Sequence, residues 1–160
     1  MLFRSIHPAS GGSAREWSAH NFGALAQQLH EHLGIRTLIS GIASEKATCD
    51  AVHAKCASAL NICGRCTLDV MMALMERSSL VVANSTGILH IAASLHTAVV
   101  GLYPSTPAMG AARWGPYAAS ARTLQSGDFA PSNDRDNVAL IPCDAVFEVC
   151  NEMLRNDTSR

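Results

Sequence analysis

The chain is short of charge of either sign. Twelve Lys and Arg face thirteen Asp and Glu in 160 residues, a formal net charge of -1. That balance argues against nucleic acid as a partner, because gripping a phosphate backbone takes a basic face. No apolar run approaches the roughly 20 residues of a membrane helix. No leader is expected either. Met1-Leu2-Phe3-Arg4 runs into a strand-like stretch and Pro8 follows almost at once, so no signal peptide is expected and the cytoplasm is the default compartment. No acidic cluster follows a strand, and His30 and His32 point apart on a helix, so no metal is expected. Cys63-Gly64-Arg65-Cys66 is the one CxxC, with no second ligand pair to make a zinc site. The other cysteines fall as Cys49/Cys56 and Cys143/Cys150, each pair seven apart. That spacing suits one helix face, so they read as small buried apolar residues.

With 48% hydrophobic residues, the chain can build a core of single-domain size. Short β-rich runs alternate with longer helical ones. Strands are expected at 3–7, 36–40, 61–63, 79–83, 98–102 and 122–125. Helices are expected at 20–33, 44–58, 67–77, 86–96 and 142–155. Gly34 supplies a stop for the first helix and Ser44 an N-cap for the second, whose face is rich in alanine. Leu68, Met71, Met72 and Met75 form one stripe of the third, read as core. Residues 103–120 and 126–137 read as loops. Continuous apolar strands alternating with helices imply a parallel sheet covered on both faces. The expected fold is α/β, a Rossmann-like doubly wound parallel sheet forming a single domain over 1–160. Ligands of such sheets bind beyond the carboxyl ends of the strands, near the switch in strand order.

Three segments could hold chemistry. In Val81-Val82-Ala83-Asn84-Ser85-Thr86-Gly87-Ile88-Leu89-His90 a buried strand turns directly into a helix. Ser85 or Thr86 can cap it, Gly87 allows close approach, and the free first-turn N–H groups can meet a diphosphate. His90 lies about one turn in. An ordinary capped helix with a satisfied histidine explains the pattern equally well. His7-Pro8-Ala9-Ser10-Gly11-Gly12-Ser13-Ala14-Arg15-Glu16-Trp17 follows the first strand. It has neither GxGxxG nor GxxxxGK[ST]. Gly11, Gly12 and Ser13 can still offer backbone and hydroxyl donors, and Arg15 a cation; a flexible surface loop is as good a reading. In Arg113-Trp114-Gly115-Pro116-Tyr117 the aromatics either serve the site or pin the loop to the body.

Together, in this order, these segments resemble glycosyltransferase family 9, the ADP-heptose:lipopolysaccharide heptosyltransferases. The match runs from His7-Pro8-x-Ser10-Gly11-Gly12-Ser13-Ala14-Arg15-x-Trp17 through Gly64-Arg65-Cys66-Thr67-Leu68. It continues in Asn84-Ser85-Thr86-Gly87-x-x-His90-x-Ala92-Ala93 and ends at Arg113-Trp114-Gly115-Pro116-Tyr117. The resemblance implies half of a two-domain GT-B enzyme, the carboxyl-terminal half that holds the nucleotide sugar. The amino-terminal half, which holds the lipid A/core oligosaccharide acceptor and usually an aspartate base, is expected to be absent from this chain.

By position, the resemblance implies that Ser13, Arg15, Ser85, Thr86, Gly87 and His90 hold the donor diphosphate and its sugar, and that Glu45 grips the ribose hydroxyls. The ADP-sugar is substrate, so no cofactor is implied, and a peripheral place at the inner membrane is compatible with the acceptor. The family usually has aspartate where Ser85 stands, which removes a carboxylate from the sugar site. The loop Tyr103-Pro104-Ser105-Thr106-Pro107 also departs from the commoner Gly-Pro-Thr-Asp-Pro. The implied reaction is direct displacement: the acceptor hydroxyl attacks the anomeric carbon and ADP leaves. No residue is assigned as base. Asp69 and Asp128 are the nearest acids in kind, and such acids are mostly solvated. Other readings are a sugar-nucleotide epimerase, and a degenerate or truncated nucleotide-binding module without catalysis.

Overall fold

The computed structural model describes residues 3–157, so Met1 and Leu2, read above for a leader, lie outside the described residues. Six strands form one all-parallel sheet: β1 (Phe3–His7), β2 (Thr37–Ile39), β3 (Leu60–Asn61), β4 (Ser78–Asn84), β5 (Val99–Tyr103) and β6 (Ala121–Gln125), in the order β3-β2-β1-β4-β5-β6. The chain winds outward from β1 to β3, then crosses back to lay β4 on the free side of β1. The switch in strand order therefore falls between β1 and β4, paired through Ser5 with Val81 and Ile6 with Val82.

Alternation along the central strands assigns the two faces. Leu80 and Val82 of β4, with Val100 and Leu102 of β5, pack under α1 (Ala19–Leu33), α2 (Lys46–Lys55) and α6 (Cys143–Asp157). Val81 and Ala83, with Val99 and Tyr103, pack under α3 (Leu68–Glu76) and α4 (Gly87–Ser94). Both faces are covered, which is why the strands carry no polar alternation. α1 is closed at both ends by its sequence. Ser18 accepts from the Asn21 N–H, and Gly34 adopts φ 64°, the left-handed turn that glycine takes without strain.

Several local expectations need correction. Ser44 does not cap α2. It sits inside a 3-10 turn, Ala43–Glu45, and α2 starts after it. The buried face of α2 is Cys49 and Val52, while the alanines Ala47, Ala51 and Ala54 are exposed. Only half the α3 stripe is core: Met71 and Met75 are buried, whereas Leu68 and Met72 face solvent. Periodicity places four side chains on one helix side, but this nine-residue helix, packed on α4 and β4, buries only the inner pair. The loop read over 103–120 contains a short helix, α5 (Ala111–Trp114). Cys49, Cys56 and Cys150 are buried thiols, as their spacing suggests, whereas Cys143, expected with them, is only half-buried; burial pushes Cys150 up to about 12.

α4 lies unusually close to β5 because Gly101 has no side chain. A Cβ there would stand 2.6 Å from Cε2 of Tyr103 and 2.7 Å from Cδ2 of Leu89. Gly101→Ala should therefore lift α4 and destabilise the domain by about 1–3 kcal/mol, read as a lower midpoint in urea unfolding; an unchanged midpoint would show that α4 yields freely.

Candidate donor-binding site

The loops leaving β1 and β4 diverge toward α1 and α4, on opposite faces of the sheet, and leave a crevice between them. Asn84, the last residue of β4, joins the two loops. It is fully buried. Its Oδ1 accepts the Trp17 backbone N–H at 2.8 Å and its Nδ2 donates to the Pro8 carbonyl at 2.9 Å. Trp17 is anchored from its other side, its indole N–H donating to the Ile141 carbonyl at 2.9 Å. Between these pins, Gly11 (φ 58°) and Gly12 (φ 82°) turn the chain back on itself. Glu16 closes the loop, its Oε1 accepting the Ser10 N–H at 2.7 Å and the Ser10 hydroxyl at 2.6 Å.

A cavity of about 350 Å³ opens at this corner, lined by Ser13, Ala14, Arg15, Ser85, Thr86, Gly87, His90, Pro104, Met109 and Trp114. The size suits a small-molecule ligand. Six of the seven residues singled out in the sequence thus share one space. Their detailed roles differ from expectation. No side chain caps α4, so neither Ser85 nor Thr86 consumes its first-turn N–H groups. The Thr86 hydroxyl is buried with no partner among the described residues, although buried hydroxyls normally find one. Ser13 is not a free donor: its amide and hydroxyl both point to the Ser10 carbonyl, at 3.0 and 2.7 Å. Arg15 is exposed at the rim, in no salt bridge among the described residues.

Glu45 is the seventh. It is not part of that cavity; it adjoins the β1 loop, where a Cβ on Gly11 would stand 3.7 Å from Oε1. Its Oε2 accepts the Ile42 N–H at 2.9 Å and lies 3.8 Å from Nε2 of His7. His7 ends β1, buried, with Nδ1 3.0 Å from the Ser40 hydroxyl. Burial lowers its pKa, outweighing the opposing pull of Glu45, so the ring is neutral at pH 7. Sequence reasoning assigned His7 no role; its place just before Pro8 at a strand end was the available signal.

Tyr103 was also missed. It is fully buried, and its hydroxyl donates to the Trp114 carbonyl at 2.8 Å and lies near Ser85. Burial pushes this phenol up to about 12, so it stays a donor. The two loop aromatics separate: Trp114 is held, with its indole N–H donating to the Ala108 carbonyl at 2.9 Å, whereas Tyr117 projects fully into solvent. Asp69, considered as an acid, sits exposed at the start of α3, its pKa held low chiefly by the Thr67 hydroxyl. No group of three or more His, Cys, Asp or Glu suited to a metal is found among the described residues.

The family model for glycosyltransferase family 9 (heptosyltransferase) matches residues 3–143. The chain belongs to glycosyltransferase family 9. Over 105 residues it is 30% identical to lipopolysaccharide heptosyltransferase 2 of Escherichia coli (strain K12), covering 62% of this chain and 30% of that one. Its fold is similar to a glycosyltransferase family 9 structure from Veillonella parvula, with a TM-score of 0.84, 20% identity, and coverage of 97% of this chain and 47% of the other. It is also similar to the E. coli ADP-heptose lipopolysaccharide heptosyltransferase II, with a TM-score of 0.82, 23% identity, and coverage of 98% and 47%. The chain spans under half the length of these relatives. Its sheet corresponds to one half of a GT-B fold.

Two outcomes test this architecture. Asn84→Ala strands the Trp17 N–H and the Pro8 carbonyl and should cost about 2–4 kcal/mol in urea unfolding; a loss below about 1 kcal/mol would mean that the loop is held otherwise. For His7 the unfolded chain, at the ordinary value of 6.5, binds a proton more readily than the folded one. Stability should therefore be level above pH 6.5 and fall as pH drops below it. The decline should flatten in His7→Asn, measured by unfolding midpoints between pH 5 and 8.

Proposed function

We propose that this chain is the donor-binding half of a heptosyltransferase-type glycosyltransferase, holding an ADP-sugar at the β1/β4 switch. One observation carries the reading: an uncapped helix, α4, opens its first turn onto a cavity that also holds a cation, Arg15, and a buried hydroxyl with no partner, Thr86. A diphosphate would use all three. The helix terminus supplies aligned N–H groups and a positive dipole end, Arg15 a charge-assisted bond, and Thr86 a hydroxyl whose burial is otherwise uncompensated. Glu45, beside the same loop, would accept from the ribose hydroxyls through Oε1.

In the reaction, the acceptor oxygen forms its bond to the anomeric carbon as the bond from that carbon to the diphosphate oxygen breaks. The electron pair leaves with ADP, whose new charge Arg15 and the α4 amides stabilise. The proton lost by the acceptor hydroxyl needs a base within about 3 Å, and none of the described residues lining the cavity is a carboxylate. The base and the lipid A/core oligosaccharide acceptor therefore belong to a second domain, and the chain alone transfers nothing. A cytoplasmic place, peripheral to the inner membrane where such an acceptor lies, fits this role; no helix among the described residues is long and apolar enough to cross a membrane.

Calorimetry with ADP tests the reading. The chain should bind ADP, and Arg15→Ala should weaken binding roughly fivefold to tenfold, as loss of one exposed charge-assisted bond does. No heat at millimolar ADP would favour a degenerate module that has kept the fold without the ligand. Sugar transfer by this chain alone would overturn the division of labour.

A further inference from the structure

We propose that Trp114 is the platform on which the sugar ring of the donor stacks, a role that rests on reading the cavity as a nucleotide diphosphate-sugar site. The cavity has two unlike sides. Arg15, Ser85, Thr86 and His90 are polar and gather where β4 meets α4, while Pro104, Met109 and Trp114 form an apolar wall. A pyranose is unlike on its two aspects in the same way: hydroxyls project from its edge, and C–H groups cover its faces. A sugar ring joined to a diphosphate at the polar corner reaches the apolar wall within this one space.

Trp114 is built as a fixed surface rather than as a core residue. It remains 48% exposed, yet it is held at both ends. The indole N–H donates to the Ala108 carbonyl and the backbone carbonyl accepts the Tyr103 hydroxyl. The Arg113 guanidinium lies over the ring, 5.4 Å from its centroid, as cations do over indole. A tryptophan needed only to pin the loop would gain more by burying its ring. One held rigid at a cavity wall loses little further freedom on stacking, which favours binding. Tyr103 acts as a positioning residue. Its hydroxyl, near Ser85, donates to the Trp114 carbonyl and so holds the apolar wall beside the polar corner. Ser85 matters here in a second way. A neutral hydroxyl grips sugar hydroxyls less strongly than a carboxylate would, so recognition of the ring shifts to the stacking face.

The test compares ADP-heptose with ADP in calorimetric titrations of the wild-type chain, Trp114→Ala and Trp114→Phe. Trp114→Ala should weaken ADP-heptose roughly fivefold to tenfold while leaving ADP within about twofold, and Trp114→Phe should recover most of the loss. Fluorescence gives a second readout that does not depend on how well the alanine variant folds. The chain has two tryptophans, and Trp17 is buried, so quenching by ADP-heptose beyond that by ADP should be present in the wild type and absent in Trp114→Phe. Equal weakening of both ligands by Trp114→Ala, no weakening of either, or quenching that survives in Trp114→Phe would overturn the platform while leaving the diphosphate site intact. Failure of the wild-type chain to bind either ligand would overturn the donor-site reading and the platform with it.

Discussion

The side chain of Asn84 is where the two halves of this fold are tied together. The sheet is wound outward from β1 and β4 in opposite directions, so the loops that follow them have no reason to meet. A carboxamide can donate and accept at once, and here it does both, to the Pro8 carbonyl and the Trp17 N–H. Both loop groups are buried beside it and would otherwise lack partners, which makes the pairing far stronger than a surface hydrogen bond. Everything functional in the crevice inherits its geometry from that join: the Gly11-Gly12 turn, the position of Arg15, and the mouth of the cavity over α4.

Around the join, each helix contributes in a different way. α1 is closed by Ser18 and Gly34 and serves as scaffold. α4 has no side-chain cap, and its open end faces the cavity. An uncapped terminus is a cost to an isolated helix. It is tolerable where packing does the holding, and α4 is held by Leu89, Ala92 and Ala93 against a strand that carries Gly101 at the point of closest approach. Packing thus holds α4 from beneath the site, and its uncapped first turn and the unpartnered Thr86 hydroxyl face the cavity, an arrangement typical of ligand sites.

Much of this was legible in the residues. Apolar runs such as Leu80-Val81-Val82-Ala83 state their burial on both faces, and alternation with helices of period 3.6 leads directly to a parallel sheet. The motif residues from Ser13 to Arg15 and from Ser85 to His90 were legible as a group because strand ends and glycine turns mark where backbone is exposed. Less legible were the partners of polar side chains. The hydroxyl of Ser13 faces Ser10, Ser44 caps nothing, and His7 pairs with Ser40 and Glu45 across two strands. Hydrogen bonds between residues far apart in the chain leave no periodic trace. The exposure of Leu68 and Met72 was hidden for a related reason, since a helix's stripe shows which side is apolar but not how wide a neighbour covers it.

The chain's own order of residue types determined the class of fold, the approximate placing of its elements, and which loops lie at the carboxyl edge of the sheet. These depend on local sterics and on burial that repeats with the geometry of helix and strand. Only the tertiary structure decided that six chosen residues share one cavity, that Glu45 adjoins the loop rather than the cavity, and that Tyr103 reaches the Trp114 carbonyl. Those relations arise from strand order, and strand order is settled by how whole faces pack together, a property that no single segment of the chain possesses.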